Sequence, residues 1–202
     1  VRATPAKHTR WFCAILLAAA QPALAANTLV AAHVPVAVAR SPMTVTPDCE
    51  WNRMGARPGR RSESWTIDGD GLNEVTFYGG IEPNRTLFRE VDKHSKPLPR
   101  FSRTMLLTDI PALFESSYRI ALNTPVMTIE TIAPARFLGE KGVAFTYTYA
   151  RVDEEVRRRG DGVAAIVDGR LFMIIFDAPA IFFYDRDAPA YRAIIAKAAI
   201  AR

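Results

Sequence analysis

Residues 171–176, Leu-Phe-Met-Ile-Ile-Phe, present no polar face when the backbone is extended. Side chains alternate between the two sides of a strand, so a run that is apolar throughout must be covered on both sides. Six residues is a strand's length and too short for a buried helix. A second apolar run, 163–167, precedes it, and Asp168-Gly169 lies between them. That pair is a type I′ hairpin signal, because both residues tolerate positive φ. The chain must therefore build an antiparallel sheet with material packed on both of its faces.

The remaining elements are read around this hairpin. Val143, Phe145, Tyr147 and Tyr149 alternate with Ala144, Thr146 and Thr148, as in a half-buried strand. Residues 43–46, 62–68 and 72–78 read as further strands, with Gly79-Gly80 ending the third. Ile110, Leu113, Phe114, Ser117 and Ala121 recur at helical spacing behind Thr108 as N-cap, and Pro111 is tolerated that early. A last helix starts at Asp187, with Pro189 in its first turn and Tyr191, Ile194, Ile195 and Ala198 on one face. The expected class is α+β: an antiparallel sheet of about six strands with helices packed on it in an α/β/α-like sandwich. Trp51, Trp65 and the block Ile181-Phe182-Phe183-Tyr184 are expected inside. Residues 82–104 hold three prolines among many charges and read as a long surface connection, a kind that is often functional.

The first 25 residues read as an export signal. Arg2, Lys7 and Arg10 precede the apolar run 11–20, Gln21 and Pro22 break it, and Ala23-Leu24-Ala25 offers a small-x-small cleavage site. A membrane span needs ~20 consecutive apolar residues, and this run is half that. The expected organisation is a signal peptide over 1–25 cut between Ala25 and Ala26, a flexible segment or edge strand over 26–42, and a single α+β domain over 43–202. The protein would work in the periplasm or outside the cell, with no transmembrane helix after cleavage. Cleavage also removes Cys13, so Cys49 has no internal disulfide partner and is expected as a small buried hydrophobe. The formal net charge is +5, and three of the cations leave with the acid-free leader. A charge of +2 is poor support for nucleic-acid binding, which needs a concentrated basic excess.

Reactive constellations are sparse. The chain has no G-x-S-x-G elbow, no H-E-x-x-H and no phosphate or dinucleotide loop. No metal or cofactor is expected. Asp68-Gly69-Asp70-Gly71 reads as a β-turn, since Leu72 stands where a calcium loop needs its third acidic ligand. His94, in Asp92-Lys93-His94-Ser95-Lys96, is the candidate imidazole for acid–base work, with Asp92 and Glu90 as candidate carboxylates. Arg53, Arg57, Arg60 and Arg61 are candidate anion ligands for phosphate groups of a lipid or polyanion, because guanidinium forks suit such targets. Arg157, Arg158 and Arg159, preceded by Asp153, Glu154 and Glu155, read as a solvated, self-neutralising hairpin arm.

The Trp51-Asn52 pair, the Trp65-Thr66-Ile67-Asp68-Gly69 strand and turn, and the final hairpin followed by Tyr184-Asp185 and a helix resemble uncharacterised secreted proteins and lipoproteins of Gram-negative bacteria. The resemblance covers 43–202 and implies a PsbP-like α/β/α sandwich. It carries over no catalytic residue, and the lipid-attachment cysteine of the lipoprotein members is missing. The functional expectation is a non-catalytic binding or accessory protein of the cell envelope, whose partner is an envelope protein, a lipid or a small molecule. The alternative is a small periplasmic hydrolase using carboxylates and His94.

Overall fold

The computed structural model describes residues 26–124, 126–152 and 156–201. Residues 1–25, on which the expected export signal falls, and the acidic residues Asp153, Glu154 and Glu155 lie outside the described residues. Among those described, the strands are β1 (Thr28–Val30), β2 (Val36–Ala37), β3 (Met43–Val45), β4 (Trp51–Arg53), β5 (Ser62–Thr66) and β6 (Glu74–Ile81). Helix α1 (Ile110–Ala121) separates these from β7 (Val126–Phe137), β8 (Glu140–Ala150), β9 (Arg158–Val167) and β10 (Arg170–Pro179). Helix α2 (Phe183–Ala196) and β11 (Ala199–Ile200) follow. Eight strands form an antiparallel sheet in the order β1-β4-β5-β6-β10-β9-β8-β7, and β11-β3-β2 form a second, small sheet.

The β9–β10 hairpin turns at Asp168 and Gly169, both at positive φ, as the sequence requires. β10 lies between β6 and β9 and is buried from Leu171 to Ala178. Phe172, Ile174 and Phe176 pack with Trp51, Trp65 and the α2 residues Tyr184 and Tyr191. Leu171, Met173 and Ile175 face the other way, toward Phe114 of α1, Tyr147 of β8 and Leu98 of the 82–104 connection. Full burial of side chains this size contributes ~1.5–3 kcal/mol each, so both coverings are needed.

The expected class is corrected by this architecture. The chain is mostly β, with a wide eight-stranded sheet and a separate three-stranded one, and it is not the helix-packed sandwich of about six strands that the resemblance implied. Each helix is about 20 Å long at 1.5 Å per residue, whereas eight strands span about 34 Å. A single helix cannot roof such a face. The small sheet supplies Met43 and Val45 on the α2 side, and the 82–104 connection supplies Leu87, Leu98 and Phe101 on the α1 side.

Several elements differ from the sequence reading for local reasons. β6 runs through Gly79 and Gly80 instead of ending there. A Cβ on Gly79 would collide with Ser41 and Ala39, so the glycine permits close approach of the 38–41 turn. β7 has no sequence signal because it is an edge strand with residues 131–134 exposed on both sides. Pro134 within it blunts that open edge. Residues 26–42 supply the edge strand β1 and β2 of the small sheet. Helix α2 begins four residues early, at Phe183, and places Pro189 inside it. The turn into it leaves Ile181 and Phe182 exposed, at 79% and 64%, so only the second half of the aromatic block reaches the core. Trp51 and Trp65 are fully buried. Cys49 is a half-buried free thiol beside the α2-side core, its pKa raised by burial and then by Asp187 and Asp48.

In β9, Gly160 and Gly162 lie under the rings of Tyr147 and Phe145, their cross-strand partners. A Cβ on Gly160 would strike the Tyr147 ring and come within 2.6 Å of the Phe176 carbonyl oxygen. Gly160→Ala is expected to destabilise the fold by about 1–3 kcal/mol, the range for overpacking. Urea unfolding of the variant against the wild type measures it.

Candidate functional site

Strand alternation puts Asp177 on the α1 side of the sheet, directly after the apolar run of β10. A buried carboxylate must be answered by a cation and hydrogen bonds. The answer comes from three neighbouring elements. Arg158 of β9 meets Asp177 with Nε at 2.9 Å and Nη2 at 2.8 Å. Tyr149 of β8 donates its hydroxyl at 2.7 Å, and Tyr118 of α1 at 3.1 Å. Arg158 also donates to the Gly71 carbonyl, tying down the turn before β6. Burial pulls the Arg158 pKa down, but Asp177 and Tyr149 more than offset this and hold it protonated. The reading of residues 157–159 as a solvated arm is thus corrected at its centre, since Arg158 is wholly buried. Arg159 is exposed and lies over the Tyr184 ring.

The β6–β10 register sets Glu74 opposite Asp177. Among the described residues Arg158 pairs with the carboxylate of Asp177 and not with that of Glu74, and Glu74 accepts a hydroxyl bond from Thr76 at 2.9 Å. Thr76 in turn shares a 2.8 Å bond with Ser64 of β5. Glu74 keeps partial exposure, yet crowding by the protein raises its pKa, with the charge of Asp177 adding to the effect. Two residues further on the same face is Tyr78. Its hydroxyl is buried and has no hydrogen-bond partner among the described residues. Burial, then Glu74, pushes the Tyr78 pKa well above the ordinary phenol value.

These groups line a cleft of about 740 Å³. Its polar floor is Ser64, Glu74, Thr76, Tyr78 and Tyr118, and its apolar walls include Met54, Phe88, Leu98, Ile120 and Leu122. Arg57, Arg89, Lys96 and Arg151 also line it, with Asp70 and Asp92, and both of these acids are exposed. The 82–104 connection forms one wall, held by backbone bonds from Arg89 to Pro58 and from Asn84 to Phe101.

The residues singled out from sequence are distributed differently. Asp92 is on the cleft, but its carboxylate caps the backbone of Ser95 (2.9 Å) and His94 (3.2 Å). Those bonds, with that from the Ser95 side chain, hold its pKa below the ordinary value. Both Glu90 oxygens accept from the single Nη2 of Arg100, at 3.0 and 2.9 Å, and Glu90 lines a second concavity. His94 is exposed and lines neither. The structure does not bring the three together. Arg53 and Arg57 both pair with Glu63, at 3.2 and 3.4 Å, and Glu63 is buried beside the Trp65 indole N–H. Arg60 and Arg61 line the second concavity. The 68–71 turn is organised by Asn73, which takes the Thr66 hydroxyl and the Ile67 amide and donates to Asp68 and Asp187. Among the described residues no group of three or more His, Cys, Asp or Glu side chains is placed to hold a metal ion. None of their helices is long and apolar enough to cross a membrane.

Sequence reasoning missed Glu74, Tyr78, Asp177 and Arg158. One signal was available: Asp177 is a lone charge at the end of a strand that must be buried on both faces. No family model matches the chain, and no curated protein matches it. Among solved structures it is similar to LpqN of Mycobacterium tuberculosis, a protein involved in cell envelope biogenesis, at 11% identity and a TM-score of 0.29. That match covers 91% of this chain and 88% of the other. A likeness so slight transfers neither fold nor function, and the functional reading rests on the cleft.

Two measurements test the site's electrostatics. Arg158→Met strands the Asp177 charge in the interior and is expected to cost about 3–5 kcal/mol in urea unfolding. Glu74 holds its proton more tightly when folded than when unfolded. Stability therefore falls as pH rises from the ordinary value of 4.5 to the raised native pKa, with Asp177 and Asp70 as the facing acids that raise it. Glu74→Gln has no proton to lose. Its melting temperature relative to the wild type is expected to be constant below pH 4.5, to climb through that window, and to level off above it.

Proposed function

We propose that this chain is an exported, non-catalytic binding protein of the cell envelope whose ligand occupies the cleft over β5 and β6. The unpartnered Tyr78 hydroxyl, beside Glu74 on the cleft floor, carries the reading. A buried hydroxyl without a partner costs about 1–3 kcal/mol, a cost that a ligand's donor or acceptor removes. Apolar walls over a few convergent polar groups are the usual chemistry of a small-molecule site, and 740 Å³ lies within the usual ~300–1,000 Å³. Burial raises the Glu74 pKa and pushes those of Tyr78 and Tyr118 well up, so this floor disfavours added charge and suits a ligand with an apolar body and one uncharged polar end. Export rests on the pattern of the first 25 residues. The hydrolase alternative needs convergent carboxylates and an imidazole, whereas His94, Asp92 and Glu90 face different surroundings.

The uncharged fluorophore N-phenyl-1-naphthylamine, which has an apolar body and one N–H, is a suitable probe. It is expected to bind saturably at one site. Ala121→Trp, at an exposed position lining the cleft, is expected to weaken binding about tenfold or more, the equivalent of ~1.4 kcal/mol. An absence of saturable binding, or equal binding by Ala121→Trp, rejects the site. Expression of the full chain in a Gram-negative host tests the address: the intact mass of periplasmic protein is expected to begin at Ala26.

A further inference from the structure

Arg60 and Arg61 belong to a second concavity of about 660 Å³, which shares Phe88 and Arg89 with the cleft. Six cations line it: Arg40, Arg60, Arg61, Arg85, Arg89 and Lys93. They come from three separate segments, around residues 40, 60 and 85–93. The acidic lining is Glu82 and Glu90, and both oxygens of Glu90 are taken by Arg100. Elsewhere Arg53, Arg57, Arg100, Arg158 and Arg186 are each answered by a carboxylate. Among the described residues none of the six groove cations is ion-paired.

The clustering is built into the backbone. Arg61 donates from its guanidinium to the Arg40 carbonyl, and the Gly79 amide bonds the Arg61 carbonyl. The Arg89 amide bonds Pro58, and the Phe101 amide bonds Arg85. Arg40 itself sits at φ 50°, a sparsely populated region for a side chain of its size. These bonds hold like charges around one concavity, an arrangement that repels itself until an anion enters. The excess is local, since the cleaved chain would carry only +2.

We propose that this groove binds a phosphate-bearing anion, a diphosphate or longer, either free or as the headgroup of an anionic amphiphile. Guanidinium forks pair two bonds at a time with phosphate oxygens, and several forks around one concavity suit adjacent phosphates. A single carboxylate would leave most of the charge unanswered. The site is separate from the ligand of the cleft and does not depend on it.

Inorganic pyrophosphate is the probe, titrated calorimetrically into the full-length exported protein at fixed ionic strength. Saturable binding is expected, at least tenfold weaker in the double variant Arg60→Gln/Arg85→Gln and unchanged in Arg170→Gln, an exposed arginine at the β9–β10 turn. Ala121→Trp is expected to bind pyrophosphate normally, which separates failure here from failure of the cleft. Arg60 and Arg85 are exposed, so the double variant folds, and its melting temperature without anion checks this. Phosphatidylcholine vesicles carrying a polyprenyl diphosphate, an amphiphile with two adjacent phosphates, form the second arm. Cosedimentation that pyrophosphate competes away assigns the groove to a headgroup, and pyrophosphate binding without cosedimentation assigns it to a soluble phosphate ligand. The proposal is overturned if pyrophosphate does no more than sodium chloride of equal ionic strength. It is equally overturned if the double variant binds like the wild type, or if Arg170→Gln loses as much.

Discussion

Asp177 ends the apolar run of the most deeply buried strand, and much of the α1 side is arranged around its charge. Arg158 is drawn inside to meet it, which fixes where β9 must begin. Tyr118 hydrogen-bonds to it, which positions the C-terminal half of α1 over the sheet. Arg158 reaches past it to Gly71 and so orders the turn that feeds β6. The same economy explains Glu74. Arg158 pairs with one of two opposed carboxylates, and the second, without a cation, accepts from Thr76 and has its pKa raised by burial and by Asp177. The raised Glu74 pKa on the cleft floor thus traces in part to the Asp177 charge one strand away.

The part of the fold that could be read from sequence is the part with strong periodicity. The β9–β10 hairpin, its turn, the α1 stripe and the two buried tryptophans all follow from local pattern. β7 does not, because a strand exposed on both sides shows no alternation to read. Helical spacing is a loud signal and edge strands are quiet ones, so the helices were given too large a share of the architecture. The run 157–159 failed for a related reason. Three adjacent arginines look equivalent as letters, but a strand sends the middle one to the opposite face, in line with Gly160 and Gly162. Those glycines leave room for aromatic rings on the face where Arg158 lies.

The candidate site was less legible because its parts are brought together by strand register and not by neighbourhood in the chain. Glu74, Thr76 and Tyr78 alternate visibly, yet nothing local says that Asp177, a hundred residues on, stands opposite the first of them. The arginine cluster shows the converse. Four residues close in sequence are divided by the fold, two spent on the buried Glu63 and two joined by cations from distant turns. The 82–104 connection supplies walls to both concavities, consistent with the tendency of long connections to carry function.

Because its central strands are buried on both sides, the sheet divides the interior into two separate cores. One is closed by α2 and the small sheet, the other by α1 and the 82–104 connection. Cooperative units of this kind open with their own free energies. The strands are thus the one layer that both cores share, and the tryptophans of one core and the tyrosines of the other pack on opposite faces of the same backbone.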